Sequence, residues 1–378
     1  MDAPRDADAP RDADAPAKPR NAPAKPHVPT EILEMILLAS IGDGGDNGWE
    51  WHFAMSLVCR RWRDVLAAWR ARGAKRKEVR KLRTPRAIAA LTVPLAAWAR
   101  ARGCPWNKDT CANAANKGNL AVLQYLRVNG CPWNEDTCAS AANKGHLGIL
   151  QWARANGCPW DEYTCCYAAA YGHLEILQWA HENGCPWGKQ TSLYAAESGH
   201  LEILQWLRTN GCPWNARTCS IAAENGHLAL LQWAHNNGCP WDEWTCSDAA
   251  IEGHLEVLQW AHNNGCPWNE WTCTAAAAEG HLEVLQWLHA SGCPWNEYTC
   301  ADVASEGRLE VLQWLRENGC PWDVHSFSCA AGNGHLAVLQ FLCANDCPWN
   351  KRTCLRAAED GGHPAAIQWA RENCCPES

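Results

Sequence analysis

Cysteine and histidine recur along the sequence at intervals that invite a metal-binding interpretation. The 378 residues include 24 cysteines and 15 histidines, and Cys158, Cys165, His173 and Cys185 could be drawn together as one zinc site. Such a set lacks the close Cys-x-x-Cys or His-x-x-x-His pair that makes a zinc assignment specific. We therefore expect no cofactor and no metal ligands, and a zinc-loaded structural array stays an alternative.

Differences between the recurring units favour thiols that pack over thiols that bind metal. The position of Cys165 is taken elsewhere by Ser192 and Phe327, and the recurring histidine is replaced by Asn119 and Arg308. A small packing site tolerates such changes better than a ligand set does, so we expect buried thiols that act as small hydrophobic groups. The sequence contains no nucleophile–base pair, phosphate loop or paired carboxylates apart from the repeat, so we expect no enzyme and no catalytic residues.

These cysteines and histidines belong to a repeated unit of 27 residues. The string Cys-Pro-Trp begins at positions 104, 131, 158, 185, 212, 239, 266, 293, 320 and 347. A constant period in this range is typical of a solenoid, in which each unit packs on its neighbours. We number the repeats 1 to 10 from these cysteines.

Each repeat has the pattern of two short helices. In repeat 2, Pro132 prevents the preceding helix from continuing, and Asn134 can cap the next one. The first helix is predicted to run through Cys138 to about Lys144 and to end at Gly145 in a left-handed turn. The second helix is predicted to bury Leu147, Ile149, Leu150 and Trp152. The tryptophan of each Cys-Pro-Trp string and the aromatic residue after each Gln are likewise predicted to be core.

The unit resembles the ankyrin repeat over residues 104–373, through its Ala-Ala-x-x-Gly-His-Leu-Glu-Val-Leu string and a second Gly twelve residues after the first. The usual ankyrin unit has 33 residues, and the six that are missing here would form its projecting β-hairpin. The resemblance implies an all-α, ankyrin-like α-solenoid of short helix-turn-helix repeats with truncated hairpins. Residues 84–103 are predicted to be a degenerate capping repeat, followed by ten repeats and an irregular C-terminal cap in 104–378.

Residues 28–70 follow another pattern, with Pro-x-Glu-Ile-Leu-x-x-Ile from position 29 and Leu-Val-Cys-Arg-Arg-Trp-Arg from position 57. This pattern resembles the F-box, a small helical module that docks on Skp1-type adaptors of cullin ubiquitin ligases. It departs from the family in Val28, where Leu is usual, and in a longer, Gly-rich spacer. The resemblance implies an adaptor-binding set of Pro29, Ile32, Leu33, Ile36, Leu57, Val58, Cys59 and Trp62. The alternative is a helical cap that only shields the first repeat.

An F-box joined to Cys-Pro-Trp repeats resembles the ankyrin/F-box families of giant DNA viruses of amoebae. The resemblance implies a substrate receptor that links a target protein to the ubiquitin ligase of an infected host cell. An ankyrin-like scaffold or decoy with no ligase role is the alternative. We expect a cytoplasmic protein, with the nucleus possible, that is a monomer apart from its partners.

The residues that vary between repeats predict a binding face on the first helices. Position 163 and its equivalents, with the positions four and eight residues later, share one helical face. Large aromatic residues at such positions suggest a hot spot, and acids beside them suit a basic partner. The predicted target-binding set is Tyr163, Tyr167, Tyr171, Tyr194, Trp244, Asp248, Trp271, Tyr298 and Asp302. The alternative is that these rings pack on neighbouring first helices.

Charge and composition set the remaining expectations. The formal charge of −8 is +7 over residues 1–103 and −15 over 104–378, so the array should repel nucleic acid. No apolar run is long enough to span a membrane. Residues 1–27 are predicted to be a disordered Pro/Ala/Asp-rich tail, and 71–83 a basic linker. The thiols are expected to stay reduced.

Overall fold

The computed structural model describes residues 92–101 and 105–373. The predicted tail (1–27), F-box-like segment (28–70), basic linker (71–83) and most of the capping repeat (84–103) lie outside the described residues, as do residues 374–378. The chain divides between Trp106 and Asn107 into two units. In the first unit, helix α1 spans Val93–Ala101 within the predicted capping repeat.

The second unit consists of ten consecutive helix pairs, and its described residues contain no strand. The first helices of repeats 1 to 10 are α2 Lys108–Asn116, α4 Glu135–Asn143, α6 Glu162–Ala170, α8 Lys189–Glu197, α10 Ala216–Glu224, α12 Glu243–Ile251, α14 Glu270–Glu279, α16 Glu297–Ser305, α18 Val324–Gly332 and α20 Lys351–Gly361. The second helices are α3 Leu120–Val128, α5 Leu147–Ala155, α7 Leu174–Glu182, α9 Leu201–Thr209, α11 Leu228–Asn236, α13 Leu255–Asn263, α15 Leu282–Ala290, α17 Leu309–Glu317, α19 Leu336–Ala344 and α21 Pro364–Glu372. The predicted all-α solenoid of 27-residue helix pairs is confirmed.

The helix ends follow from residues close in sequence. In repeat 2, the backbone of Asn134 is extended where α4 begins, and Gly145 takes a φ of +76° in the turn to α5. Gly157 (φ +81°) ends that second helix, and the amide of Cys158 donates to the carbonyl of Ala153 at 3.0 Å. An α-helix followed by a left-handed glycine and this backbone bond is a common helix stop. The segment between α5 and α6 forms no strand, as expected for a truncated hairpin.

The core lies between the two helices of each pair and between successive first helices. Each first helix contacts the first helix of the next repeat along the whole array. Repeat 2 contributes Ile149, Leu150 and Ala153 from α5 and the pair Ala141 and Ala142 from α4, all of them buried. Helices of nine residues are unstable alone, so each depends on burial against its neighbours, at about 1.5–3 kcal/mol for a fully buried Leu.

The aromatic ladders differ from the prediction, because most of their rings are only half-buried. Trp133 and Trp152 of repeat 2 meet edge to face, with ring centroids 5.9 Å apart, on the flank of α5. The buried stripe of this short helix is already occupied by Ile149, Leu150 and Ala153, and Trp152 lies beside that stripe. Classifying these rings as core was therefore wrong for repeats 2 to 9.

A planar side chain from the preceding repeat covers one face of most Cys-Pro-Trp rings. The guanidinium of Arg154 lies 3.9 Å from the ring centroid of Trp160, and the imidazole of His181 stacks on Trp187 at 3.8 Å. Equivalent contacts join Arg127 to Trp133, Arg208 to Trp214, His235 to Trp241, His262 to Trp268, His289 to Trp295 and Arg316 to Trp322. These stacks link successive repeats on the second-helix side.

The last repeats are packed differently. Phe327 takes the place of the second cysteine in repeat 9 and is fully buried, stacked on Trp349 at 5.1 Å and on Trp369 at 6.2 Å. Pro364 occupies the first turn of α21, where a missing amide hydrogen has no cost. No helix in the described part of the chain is both long and apolar enough to cross a membrane.

Candidate functional site on the first-helix face

The second residue of the first helix is exposed in several consecutive repeats, and it carries the largest exposed rings of the described chain. Tyr163, Trp244, Trp271 and Tyr298 all occupy this position, with 44–59 % of each side chain exposed. The helix cap positions the backbone beneath them. For example, the side-chain oxygen of Asn269 accepts a bond from the amide of Trp271 at 3.0 Å.

Repeats 3 and 4 present a tyrosine cluster, which we define as Tyr163, Tyr167, Tyr171 and Tyr194. The rings of Tyr163 and Tyr167 lie 6.1 Å apart, and Tyr167 meets Tyr194 of the next repeat edge to face at 6.4 Å. The Lys144 ammonium lies 5.7 Å from the centre of the Tyr171 ring. Tyr167 and Tyr194 are half-buried by these contacts, whereas Tyr163 and Tyr171 stay exposed. The contacts of Tyr167 and Tyr194 fit the alternative of packing between first helices. Target binding by the exposed Tyr163 and Tyr171 stays a prediction.

Repeats 6 to 8 present an acidic aromatic row, which we define as Trp244, Trp271 and Tyr298 with the glutamates that precede them. Glu243, Glu270 and Glu297 are the first residues of α12, α14 and α16, and all three are exposed. Carboxylates in the first turn are favoured by the helix dipole. These three glutamates were not among the predicted site residues, although the recurring Glu-Trp or Glu-Tyr pair directly after the helix cap is a signal that identifies them.

Asp248 does not match its predicted role as an acid available to a basic partner. It is buried, with 8 % exposure, and its carboxylate accepts a bond from the Arg217 guanidinium of the preceding repeat at 2.8 Å. Burial raises the pKa of Asp248, and the positive charge of Arg217 opposes that rise. Arg217 also donates to Glu224 at 3.2 Å, so one arginine serves two carboxylates. Asp248 is thus committed to a contact between repeats 5 and 6.

Asp302 differs from Asp248 in the charges around it. It is half-buried in α16, four residues after Tyr298 and four before Glu306. Burial raises the pKa of Asp302, and the nearby negative charge of Glu306 raises it further. A cation brought to this face would favour the ionised form of Asp302.

The recurring cysteines form buried thiol pairs. The thiols at the Cys-Pro-Trp position donate to the helix-cap carbonyl of the preceding repeat, as from Cys158 to Asn134 at 3.4 Å and from Cys185 to Asp161 at 3.3 Å. The pKa of Cys165 is raised far above its usual range, first by the thiol hydrogen bond with Cys185 and then by burial. The prediction of packed, buried thiols is confirmed for these residues.

No group of three or more His, Cys, Asp or Glu side chains within 92–101 and 105–373 is arranged to hold a metal ion. The four residues drawn as a zinc site have other roles. His173 bonds through Nε2 to the carbonyl of Asn143 at 3.3 Å, thirty residues earlier. The same bond recurs at His200, His227, His281 and His335. These bonds join each histidine to the end of the first helix in the preceding repeat.

The predicted adaptor-binding residues, Pro29 to Trp62, lie outside the described residues. Their role stays a prediction from the F-box resemblance.

The ankyrin resemblance is supported by a family model. A family model for ankyrin repeats (many copies) matches residues 165–208 and 246–289. Each match starts in the first helix of one repeat and ends in the second helix of the next, across α6 to α9 and α12 to α15. Among solved structures, the human ASB11 ankyrin repeat domain is similar at 17 % identity and a TM-score of 0.41, covering 50 % of this chain and 99 % of that domain. No curated protein matches the chain.

The matched residues 165–208 and 246–289 therefore resemble ankyrin repeats, and ankyrin repeats indicate a scaffold for protein–protein interaction. This is the coarse function that the sequence predicted. Ankyrin repeats are typically non-enzymatic binding scaffolds.

Proposed function

We propose that the protein is a substrate receptor, which holds a target protein on the first-helix face and docks a Skp1-type adaptor through residues 28–70. The observation that carries the target-binding half is the line of exposed rings Tyr163, Trp244, Trp271 and Tyr298 on equivalent positions of ankyrin repeats. Exposed aromatic side chains are enriched in the residues that dominate binding energy.

The first-helix face is better suited to recognition than the second-helix side. On the second-helix side, the Cys-Pro-Trp rings of repeats 2 to 9 are half-buried and covered by Arg or His, as in the stack of His235 on Trp241 at 3.8 Å. On the first-helix face, Trp244 and Trp271 are 52 % and 44 % exposed. A partner that covers these two rings buries apolar surface that is now in water, which favours association.

The adaptor-binding half rests on the F-box resemblance of residues 28–66. A pull-down of a Skp1-type adaptor with the full chain tests it, beside a variant with Pro29→Ala and Trp62→Ala. We expect the parent to capture the adaptor and the double variant to lose it. A matched control with Trp244→Ala and Trp271→Ala should capture as well as the parent, because these rings lie far along the sequence in the array.

The outcomes separate the proposal from its alternatives. If the folded parent captures no adaptor, the receptor function is wrong and the chain is an ankyrin scaffold or decoy. If the double variant captures as well as the parent, residues 28–66 are not the docking module. Elemental analysis of the purified chain tests the zinc-loaded array, for which one zinc per few repeats would be required.

A further inference from the structure

The acidic aromatic row differs from the tyrosine cluster in what surrounds its rings. In the tyrosine cluster the rings contact one another, and Lys144 already lies over Tyr171. In the row, Trp244, Trp271 and Tyr298 are 52 %, 44 % and 59 % exposed. Three such exposed rings on consecutive repeats form a ladder.

The charge beside this ladder is negative. Helices α12, α14 and α16 hold two acids each and no Lys or Arg, and Glu252 and Glu306 follow α12 and α16 as caps. The cations on packed neighbouring elements have other contacts. Arg217 is bound to Asp248 and Glu224, and Arg308 donates to the carbonyl of Ala278 at 3.2 Å. His325, at the equivalent position of repeat 9, lies 4.0 Å from Asp323.

The spacing expected between the rings of the ladder matches one extended conformation of a bound peptide. The rings occupy the same position of successive repeats, and packed helices lie about 8–10 Å apart. A polyproline II segment rises about 3.1 Å per residue, so every third side chain recurs at about 9 Å on one side. Same-face residues of a β-strand recur at about 6.6 Å, which does not match the ladder.

We propose that the acidic aromatic row binds a polyproline II segment of a partner protein that carries Arg or Lys at every third residue. Each Arg or Lys side chain of the partner lies on the face of one ring, where the π-system is negative. The carboxylate of the adjacent glutamate balances its positive charge. The inference rests on the proposed target-binding function and assigns the chemistry of the target.

The test uses the full chain and fluorescein-labelled synthetic peptides in anisotropy titrations at 150 mM salt. The probe is (Arg-Pro-Pro)4, and its control is a block peptide of four Arg followed by eight Pro, with the same composition and charge. We expect the periodic peptide to bind at least fivefold more tightly than the block peptide, because only it places one cation on each ring. A (Glu-Pro-Pro)4 peptide should not bind.

Variants of the chain test whether the peptide binds to the rings of the ladder or only to negative charge. Trp271→Ala should weaken binding of the periodic peptide at least fivefold, and Trp271→Phe should restore most of the loss because it keeps a ring. Changing Glu243, Glu270 and Glu297 to Gln should weaken binding and flatten its salt dependence. Val128→Ala is the control and should leave the affinity within twofold, because Val128 is an exposed residue of α3 outside the predicted target-binding set.

Equal binding of the periodic and block peptides would overturn the proposal, and so would full affinity in Trp271→Ala. Circular dichroism of each variant checks that the array is folded, and the Trp271→Phe variant keeps the result interpretable if Trp271→Ala unfolds. If the peptide fails but the adaptor is still captured, the receptor function stands and only the target chemistry is wrong. If the peptide binds and the adaptor does not, the docking proposal fails alone.

Discussion

The imidazole of His262 lies flat on the indole of Trp268, with ring centroids 3.7 Å apart and planes 9° apart. His262 is in the second helix of repeat 6, and Trp268 opens repeat 7, so the stack joins two repeats. The equivalent pair in repeats 2 and 3 is Arg154 on Trp160 at 3.9 Å. Arg and His share this position because each offers a flat polar group that is favourable on an indole face.

We predict that His262→Ala destabilises the array by about 1 kcal/mol, because it removes the stack on Trp268. His262→Arg should be nearly neutral, since Arg154 already makes the same contact in repeat 2. Thermal unfolding followed by circular dichroism measures both. Equal losses in the two variants would show that the stack adds nothing beyond a generic effect of substitution.

Two glycines of repeat 2, one in a turn and one in a helix, should respond in opposite ways to substitution by alanine. Gly145→Ala should destabilise by about 1–2 kcal/mol or more, because φ is +76° and an added Cβ would lie 2.8 Å from the His173 ring. Gly148→Ala is the matched control, since Gly148 is exposed inside α5 and a Cβ added there would have no neighbour within 4 Å. It should stabilise by about 0.5–1 kcal/mol. Urea denaturation compares the two, and a stable Gly145→Ala would contradict the strained turn.

The ion pair between Arg217 and Asp248 predicts coupling between repeats 5 and 6. Arg217→Ala should lower the free energy of unfolding by about 1 kcal/mol, because it leaves the buried carboxylate of Asp248 without its cation. The loss is modest because the Arg217 side chain is 50 % exposed in the folded protein. Asp248→Asn in the Arg217→Ala background should recover much of that loss. A double-mutant cycle measures the coupling. Additive effects of the two changes would mean that the pair contributes nothing to stability.

The buried thiols predict slow chemical modification. Burial raises the pKa of Cys354 from its ordinary value of 9.0 to about 11, and the reactive thiolate is therefore scarce at pH 8. Iodoacetamide followed by mass spectrometry should label the half-buried Cys343 well before Cys354. Both should label equally in urea. Similar labelling rates in the folded protein would contradict the burial of Cys354.

The raised pKa of Cys354 also makes the stability of the folded chain depend on pH. Between pH 9 and about 11, Cys354 keeps its proton in the folded chain and loses it when unfolded, so the unfolded state binds fewer protons. Stability contributed by this thiol is therefore present below pH 9 and is lost as the pH rises through that window. We expect the urea midpoint to fall above pH 9, and Cys354→Ala should reduce the slope of that fall.

The candidate site was only partly predictable from the sequence. The exposed rings Tyr163, Trp244, Trp271 and Tyr298 were identified because they interrupt a repeated pattern at a position on one helical face. The role of Asp248 could not be predicted from the sequence, because the arginine that it binds, Arg217, is 31 residues away in another repeat. The half-buried state of Trp152 was also missed, since a helical pattern does not show which side of a wide apolar stripe meets a neighbour.

The sequence by itself determined the 27-residue period, the two helices of each repeat and the turns between them. These features depend on local preferences: Pro132 cannot continue a helix, Asn134 can cap one, and Gly145 takes a positive φ with little strain. Only the tertiary structure decided which rings are covered by Arg or His, which acids are paired, and where uncovered rings and unpaired acids form one row. Those outcomes depend on contacts between different repeats, and the distances of such contacts follow from how the helices pack.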